Sequence, residues 1–332
     1  MSSAEVLSEV QAEIEHLLGQ HFDDTITLTN VRQSSAGARR LNLLFTTLGS
    51  EGAETPLVAT IVSDAHILVS EVASEVAVIQ AALAAGVQAP AIVLQGNLSV
   101  GPFFITKQLA GETVPRKILR LVEYRRTGAS IVHSLGVNAA RIHQISPEKY
   151  PQHLAQVSTG VAEVALTTLN EQLELLLQPA PVFQLALRWL QLNQPSKMQT
   201  CLIHGDLRNG NLVIDKTGLV GILDWELARL GDPMEDLAWL CMRTWRFGND
   251  TRVVGGFGDL ADLVSAYENS GGQFDAQRFH WWQVLGNLRW GLGLAGQARA
   301  HIEGVVKSIV MAASGKRVAE LEWDLLGLLE QN

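Results

Sequence analysis

The sequence predicts an α+β protein of two lobes: a small antiparallel sheet carrying one helix over residues 1–109, then a mostly helical lobe over 110–332. Three observations carry that expectation. β-Branched and alternating apolar runs crowd residues 25–109. Apolar residues at three- and four-residue spacing dominate after Gly111. One short β-rich island, 201–224, interrupts the helical part.

Residues 4–18 set Val6, Val10, Ile14 and Leu17 or Leu18 on one face of a leading helix. TITLTNV, RLNLLFTTL and PLVATIVS follow as three antiparallel strands, separated by SSAGA and GSEGAETP. The run 70–85 is a helix ended by Gly86, and AIVLQ and PFFITKQL supply two more strands. Helical spacing fills 116–144, 152–177 and 181–193, and returns from 235 to the end. The boundary between the lobes is expected near Lys107–Thr113 as a short hinge, because nothing there has the composition of a flexible linker.

At 332 residues, 47% hydrophobic and 18% charged, the chain can bury sizeable cores and is not disordered. Its net charge of -9 is diffuse, which argues against nucleic acid, whose phosphates need clustered Lys and Arg. Cys201 and Cys241 sit in apolar surroundings and form neither a disulfide framework nor a metal-ligand pattern. The N-terminus lacks the basic start of a secretory signal. The longest apolar candidate for a membrane span, Val284–Ala300, is broken by Arg289 and Arg299. A cytoplasmic protein with neither nucleic acid nor membrane as partner is therefore expected. Nothing in the sequence sets an oligomeric state.

The chemistry concentrates in CLIHGDLRNGNLVIDKTGLVGILDWELARLGDPMEDLAWL. CLI is a short strand leading into His204-Gly205-Asp206. LVI and LVGIL are joined by DKTG, a turn signal, and should pair as a hairpin. Asn211 precedes the first of these strands and Asp224 follows the second, so antiparallel pairing brings an amide oxygen beside a carboxylate. Hard oxygen ligands of this kind suit Mg²⁺. Asp206 lies on the loop entering the same hairpin.

This combination, with Asp224-Trp225-Glu226 and the Gly-Asp-Pro-x-x-Asp-Leu-Ala run, resembles the aminoglycoside phosphotransferase and choline kinase branch of kinase-like enzymes. The resemblance implies a bilobal protein-kinase-like fold. It also implies Mg²⁺-dependent transfer of the γ-phosphoryl group of ATP or GTP to a hydroxyl of a small molecule. By position, Asp206 would be the catalytic base and Arg208 would approach a phosphate. Asn211 and Asp224 would hold the metal. His204 would brace the loop and Asp236 would tie it to the next helix. Residues 34–45 resemble the loop and strands over the nucleotide, with Ser34, Ser35 and Gly37 at the phosphates. Glu75 resembles the helix glutamate that pairs with a strand cation. PFFITKQLAGET resembles the hinge run, whose backbone around Lys107–Leu109 would meet the adenine.

The chain departs from that pattern in two places, of which one is the loop SSAGA, with Gly37 as its one glycine, and the other is the strand cation. The strand cation should stand near Thr60, yet no Lys or Arg occurs from Leu41 to Thr106. Glu75 is therefore expected to lack its usual partner and to turn elsewhere or bind Mg²⁺. Arg39 and Arg40 are the nearest cations that could replace it. The departure supports a second reading, a kinase-fold protein that binds a nucleotide or metabolite without efficient catalysis.

On the acceptor side, Trp281, Leu285, Leu288 and Leu292 follow core spacing on one long helix. Trp282, Arg289, Gln297 and His301 form another face, with Gly286, Gly293 and Gly296 giving close packing or room for a ligand. Arg243, Trp245 and Arg246 would add a rim. An aminoglycoside would call for gathered carboxylates. This aromatic and basic surface predicts a neutral or anionic hydroxylated metabolite instead.

Overall fold

The computed structural model describes residues 3–33, 40–62, 69–121, 127–151, 154 and 160–330. Ser34, Ser35, Gly37 and Arg39, assigned above to the nucleotide, lie outside the described residues. The chain opens with a helix, α1 (Ser3–Phe22), followed by strands β1 (Thr27–Gln33), β2 (Arg40–Leu48) and β3 (Glu54–Val62). Helix α2 (Val69–Ala84) and strands β4 (Ile92–Leu98) and β5 (Gly101–Lys107) complete the small lobe. The five strands form one antiparallel sheet, ordered β1-β2-β3-β5-β4.

Alternation along the strands decides what each face of that sheet meets. Leu43, Phe45, Leu57, Ile61, Phe103 and Ile105 point to one face and pack with Val10, Ile14 and Leu18 of α1. Val62 and Phe104, offset by one residue, point to the other face and join Val72, Val76 and Ile79 of α2 in a core shared with the helical lobe. The register pairs Arg40 with Val62, so Arg40 stands at the end of the β2–β3 ladder nearest α2.

The second lobe is mostly helical, as expected: α3 (Pro115–Arg120), α4 (Gly128–His143), α5 (Val161–Glu174), α6 (Pro181–Leu192), α7 (Pro233–Leu240), α8 (Leu260–Asn269), α9 (Ala276–Ile302), α10 (Ile309–Ser314) and α11 (Val318–Leu329). The β-rich island resolves into β6 (Cys201–Ile203), β7 (Leu212–Ile214) and β8 (Leu219–Ile222), and β7 and β8 form the expected hairpin. A further strand, β9 (Arg229–Gly231), pairs with β6. Three residues carrying an Arg and a Gly give no strand signal on their own. Helix does not run on from 235. After α7 the chain makes only a short 3₁₀ turn, Arg243–Arg246, before α8. Gly248, Gly255 and Gly256 take positive φ there and break the helical path. Among the described residues no helix is long and apolar enough to cross a membrane.

Links at the hinge and just past α2 help hold the lobes in register. At the hinge, Glu112 exchanges backbone hydrogen bonds with Ile214 of β7. Gly111 permits this approach, since a Cβ there would lie 2.7 Å from the Ile214 carbonyl oxygen. Just past α2, Gln88 donates from Nε2 to the Leu219 carbonyl and from its backbone N–H to Asn138 Oδ1. Its carbonyl accepts from Ile222 N–H, and its Oε1 accepts from Asn138 Nδ2.

Candidate active site

The loop between β6 and β7 is set from below by Asp236 of α7. Its Oδ2 accepts from His204 N–H at 2.7 Å and its Oδ1 from Gly205 N–H at 2.9 Å. His143 Nε2 lies 3.2 Å from the same carboxylate, and these contacts hold Asp236 below the usual carboxylate range although burial opposes them. Asp232 caps α7 by accepting from Met234 N–H, with Pro233 at the first helical position. Gly205 takes φ +80°, and a Cβ there would strike the Leu227 carbonyl. Only glycine fits both conditions.

His204 is fully buried, and burial lowers its pKa, so the ring is neutral near pH 7. Its Nδ1 accepts from Asp206 N–H at 3.2 Å, which leaves Nε2 to donate to the Leu223 carbonyl at 3.1 Å. The ring therefore braces the loop carrying Asp206 against the end of β8.

The hairpin brings Asn211 and Asp224 together as the pattern of strands predicted. Leu212 pairs with Ile222, and Leu223 N–H donates to the Asn211 carbonyl at 2.8 Å. Asn211 Nδ2 donates to Asp206 Oδ2 at 2.7 Å and to the Asp206 carbonyl at 3.0 Å. Those bonds fix the amide so that Oδ1 is its free acceptor. Asp224 adopts a left-handed φ of +66°, a costly backbone conformation for a non-glycine residue and one that clusters at functional sites. The residue is exposed, and its carboxylate receives no hydrogen bond among the described residues. Desolvation by the surrounding protein, then Glu226 and Asp206, push it up to about 6. An amide oxygen beside a carboxylate, with Glu226 and Asp206 adding negative charge nearby, is an oxygen donor set that fits a hard divalent cation.

The carboxylate of Asp206 is held by three side chains. Arg208 Nε lies 2.9 and 3.0 Å from its two oxygens, Asn211 Nδ2 meets Oδ2, and Trp239 Nε1 donates to Oδ1 at 2.7 Å. Trp239 was not anticipated. It lies one helical turn beyond Asp236 on α7, and that i, i+3 spacing from a loop-binding residue was the available signal. Arg208 is stacked at 4.5 Å over Trp245, and Arg289 at 4.6 Å over Trp239, which also packs against Trp245 and Trp290.

The acceptor-side reading of α9 is corrected in part. Trp282 is buried in the core and lines no open face. Gly286 serves packing, since a Cβ there would meet Met242 and Trp239 at 3.1 and 3.3 Å. Arg289 is tied to buried Glu235 at 2.6 Å, and His301 Nδ1 accepts from Ser308 N–H.

On the nucleotide side, Glu75 does have a cation. Arg40 NH1 donates to Glu75 Oε2 at 2.8 Å. The expectation of an unpartnered Glu75 fails because the guanidinium comes from the first residue of β2, not from β3. Arg40 Nε also lies 2.6 Å from Glu226 Oε2, an ion pair without hydrogen-bond alignment. Burial nevertheless pushes Glu75 up to about 7, against the pull of Arg40. At the hinge, Lys107 N–H is spent on the Ala91 carbonyl and Gln108 N–H on Pro56. Leu109 packs on Gly221 of β8, and its own N–H has no partner among the described residues.

Known phosphotransferases share this fold. The profile of the phosphotransferase enzyme family, APH, matches residues 30–283, and the chain belongs to that family. An inferred aminoglycoside phosphotransferase from Ralstonia eutropha superposes with a TM-score of 0.72 at 20% identity, over 94% of this chain and 96% of that one. Aminoglycoside 2'-phosphotransferase-IIIa, solved as its GDP complex, gives 0.66 at 14% identity over 95% and 99%. Macrolide 2'-phosphotransferase MphH from Brachybacterium faecium gives 0.60 at 15% identity over 92% and 97%. At these identities the likeness is one of fold. Among curated sequences, acyl-CoA dehydrogenase family member 10 of Mus musculus is 28% identical over 159 residues, 43% of this chain and 15% of that protein. The probable acyl-CoA dehydrogenase IBR3 of Arabidopsis thaliana is 43% identical over 60 residues, 16% of this chain and 7% of that protein. The chain thus spans only a small part of these longer relatives.

Proposed function

We propose that this protein transfers the γ-phosphoryl group of ATP or GTP to a hydroxyl of a small molecule. The arrangement of Asp206, Asn211 and Asp224 around one hairpin carries the reading. Residues 1–109 would hold the nucleotide, and residues 110–332 the catalytic and acceptor groups. The free Leu109 N–H would meet the adenine or guanine edge, and Arg40, kept in place by Glu75, would face the phosphates. Asn211 Oδ1 and the Asp224 carboxylate would hold Mg²⁺, which supplies neutralising charge for the phosphate oxygens. Asp206 orients the acceptor hydroxyl and takes its proton. The hydroxyl oxygen bonds to the γ-phosphorus as the bond to the β–γ bridging oxygen breaks, and nucleoside diphosphate leaves. Arg208, Trp239 and Asn211 keep the base in position throughout.

The ground for a binding protein without efficient catalysis was the missing cation on β3. Arg40 supplies one from β2, which favours the transfer reading. The test is an acceptor panel read by nucleoside diphosphate release and product mass. Two of the longer relatives are named for acyl-CoA dehydrogenases, so hydroxylated acyl compounds belong on it beside sugars, amino alcohols and hydroxy acids. Asp206→Ala should cut turnover by roughly 10²- to 10⁴-fold while sparing nucleotide binding. Turnover unchanged in that variant would overturn the mechanism.

A further inference from the structure

Beside the catalytic loop lies a cavity of about 480 Å³ lined by four arginines, Arg116, Arg120, Arg243 and Arg317. It adjoins the loop on two sides. Pro115 begins α3, the helix that carries Arg116 and Arg120, and its Cγ would be 3.8 Å from a Cβ placed on Gly210 of the loop. Trp245 forms another wall. Arg208 stacks on the same tryptophan and binds Asp206. A single aromatic ring and one guanidinium thus separate the cavity from the proposed base.

Resting on the phosphotransfer reading, we propose that this cavity holds an anionic group of the acceptor, a carboxylate or a phosphate, while the acceptor hydroxyl lies at Asp206. Three carboxylates also line it, Asp250, Glu320 and Asp324, and all three are already engaged. Arg243 holds Asp324 at 2.6 Å and Asp250 at 3.7 Å, and Arg317 holds Glu320 at 3.2 Å. These pairs fix the two guanidiniums on one side of the cavity. Arg317 NH2 is further anchored on Thr244 Oγ1. Arg116 and Arg120 approach from a separate element, both exposed, and Arg116 forms no ion pair among the described residues. Among the described residues four guanidiniums face three carboxylates, and the one that forms no ion pair there is that of Arg116. A planar guanidinium fork matches the oxygens of a carboxylate or phosphate. A polycationic acceptor would meet repulsion here, and a neutral one would gain nothing from the charge of Arg116.

The experiment compares hydroxyalkyl carboxylates and hydroxyalkyl phosphates with neutral ester and cationic amine counterparts of equal length. Binding to the full chain is measured by isothermal titration with Mg²⁺ and AMP-PNP present. The variants are the exposed substitutions Arg116→Glu and Arg120→Glu, singly and together, with Arg116→Lys as the conservative control. The acids should bind and the esters and amines should not. Acid affinity should fall on the order of tenfold per charge reversal, with AMP-PNP affinity unchanged. The larger loss among the two acid series identifies carboxylate or phosphate as the group held. Esters binding as tightly as acids, acid binding indifferent to both reversals, or no binding by any member would each overturn the proposal. Arginine-dependent acid binding with no phosphorylated product would instead sink the phosphotransfer reading and leave the cavity assignment standing.

Discussion

From Cys201 to Trp239 the chain gathers most groups of the candidate site in one continuous stretch, and local hydrogen bonds hold Asp206, Asn211 and His204 in place. The facing groups, Arg40 and Glu75, come from a strand and a helix far apart in sequence and meet only because β2 and α2 pack at one end of the sheet. The first arrangement is a framework of buried, satisfied bonds. The second is a single ion pair bridging to Glu226 across the cleft. Geometry on the hairpin side is therefore set by the loop itself, and on the sheet side by tertiary packing.

Four substitutions can break or sharpen this contrast. The largest effect is expected from Asp236→Asn, which removes the buried charge serving two backbone N–H groups. It should cost about 2–4 kcal/mol of stability, read by urea denaturation, and should lower kcat with it. A stable, active variant would show that the loop holds without its anchor. Arg40→Ala comes next. It should raise the nucleotide KM on the order of tenfold, with Arg40→Lys recovering part of the loss. An unchanged KM would mean that Arg40 serves only to pair Glu75.

Trp239→Phe keeps an aromatic ring, deletes one hydrogen bond to Asp206 and removes part of the buried indole, so its stability is read alongside its kinetics. It should lower kcat by about fivefold, from a bond worth roughly 1 kcal/mol, and leave the nucleotide KM alone. A changed KM with constant kcat would count against a role in positioning the base. The smallest effect concerns pH. A carboxyl raised in the folded state favours folding in its protonated form. For Glu75 that contribution is complete below about 4.5 and is lost as pH rises through about 7. In nucleotide- and metal-free protein, Glu75→Gln should therefore flatten the pH dependence of the melting temperature across that window. A slope identical to wild type would rule out this titration.

The hairpin was legible because its partners lie close in sequence. A turn signal between two apolar runs fixes a register, and the register fixes what stands at the strand ends. The Arg40–Glu75 pair was not legible in the same way. Sequence position put the cation on β3 near Thr60, where there is none, and left Arg39 and Arg40 as substitutes, while the sheet register shows how the first residue of β2, Arg40, reaches α2. Trp282 misled for a related reason. Helical spacing separates faces, but α9 is surrounded by α6, α7 and α11 and buries more than one of them. The 3₁₀ segment after α7 was hidden because apolar residues continue through it, while its glycines set the path.

The bonds of Gln88 bear on how the protein can be taken apart. This residue follows α2, yet it is fastened to β8 and to Asn138 of α4, and Arg141 of α4 binds the Gly86 carbonyl beside it. By its attachments, α2 is riveted to the helical lobe, while α1 and most of the sheet keep a core of their own. Excision at residue 109 would strip the helical lobe of a helix it packs against and leave the buried amide of Asn138 without its partner. Neither fragment is then expected to be expressed as a stable product, and a dissected catalytic lobe would have to carry α2 with it.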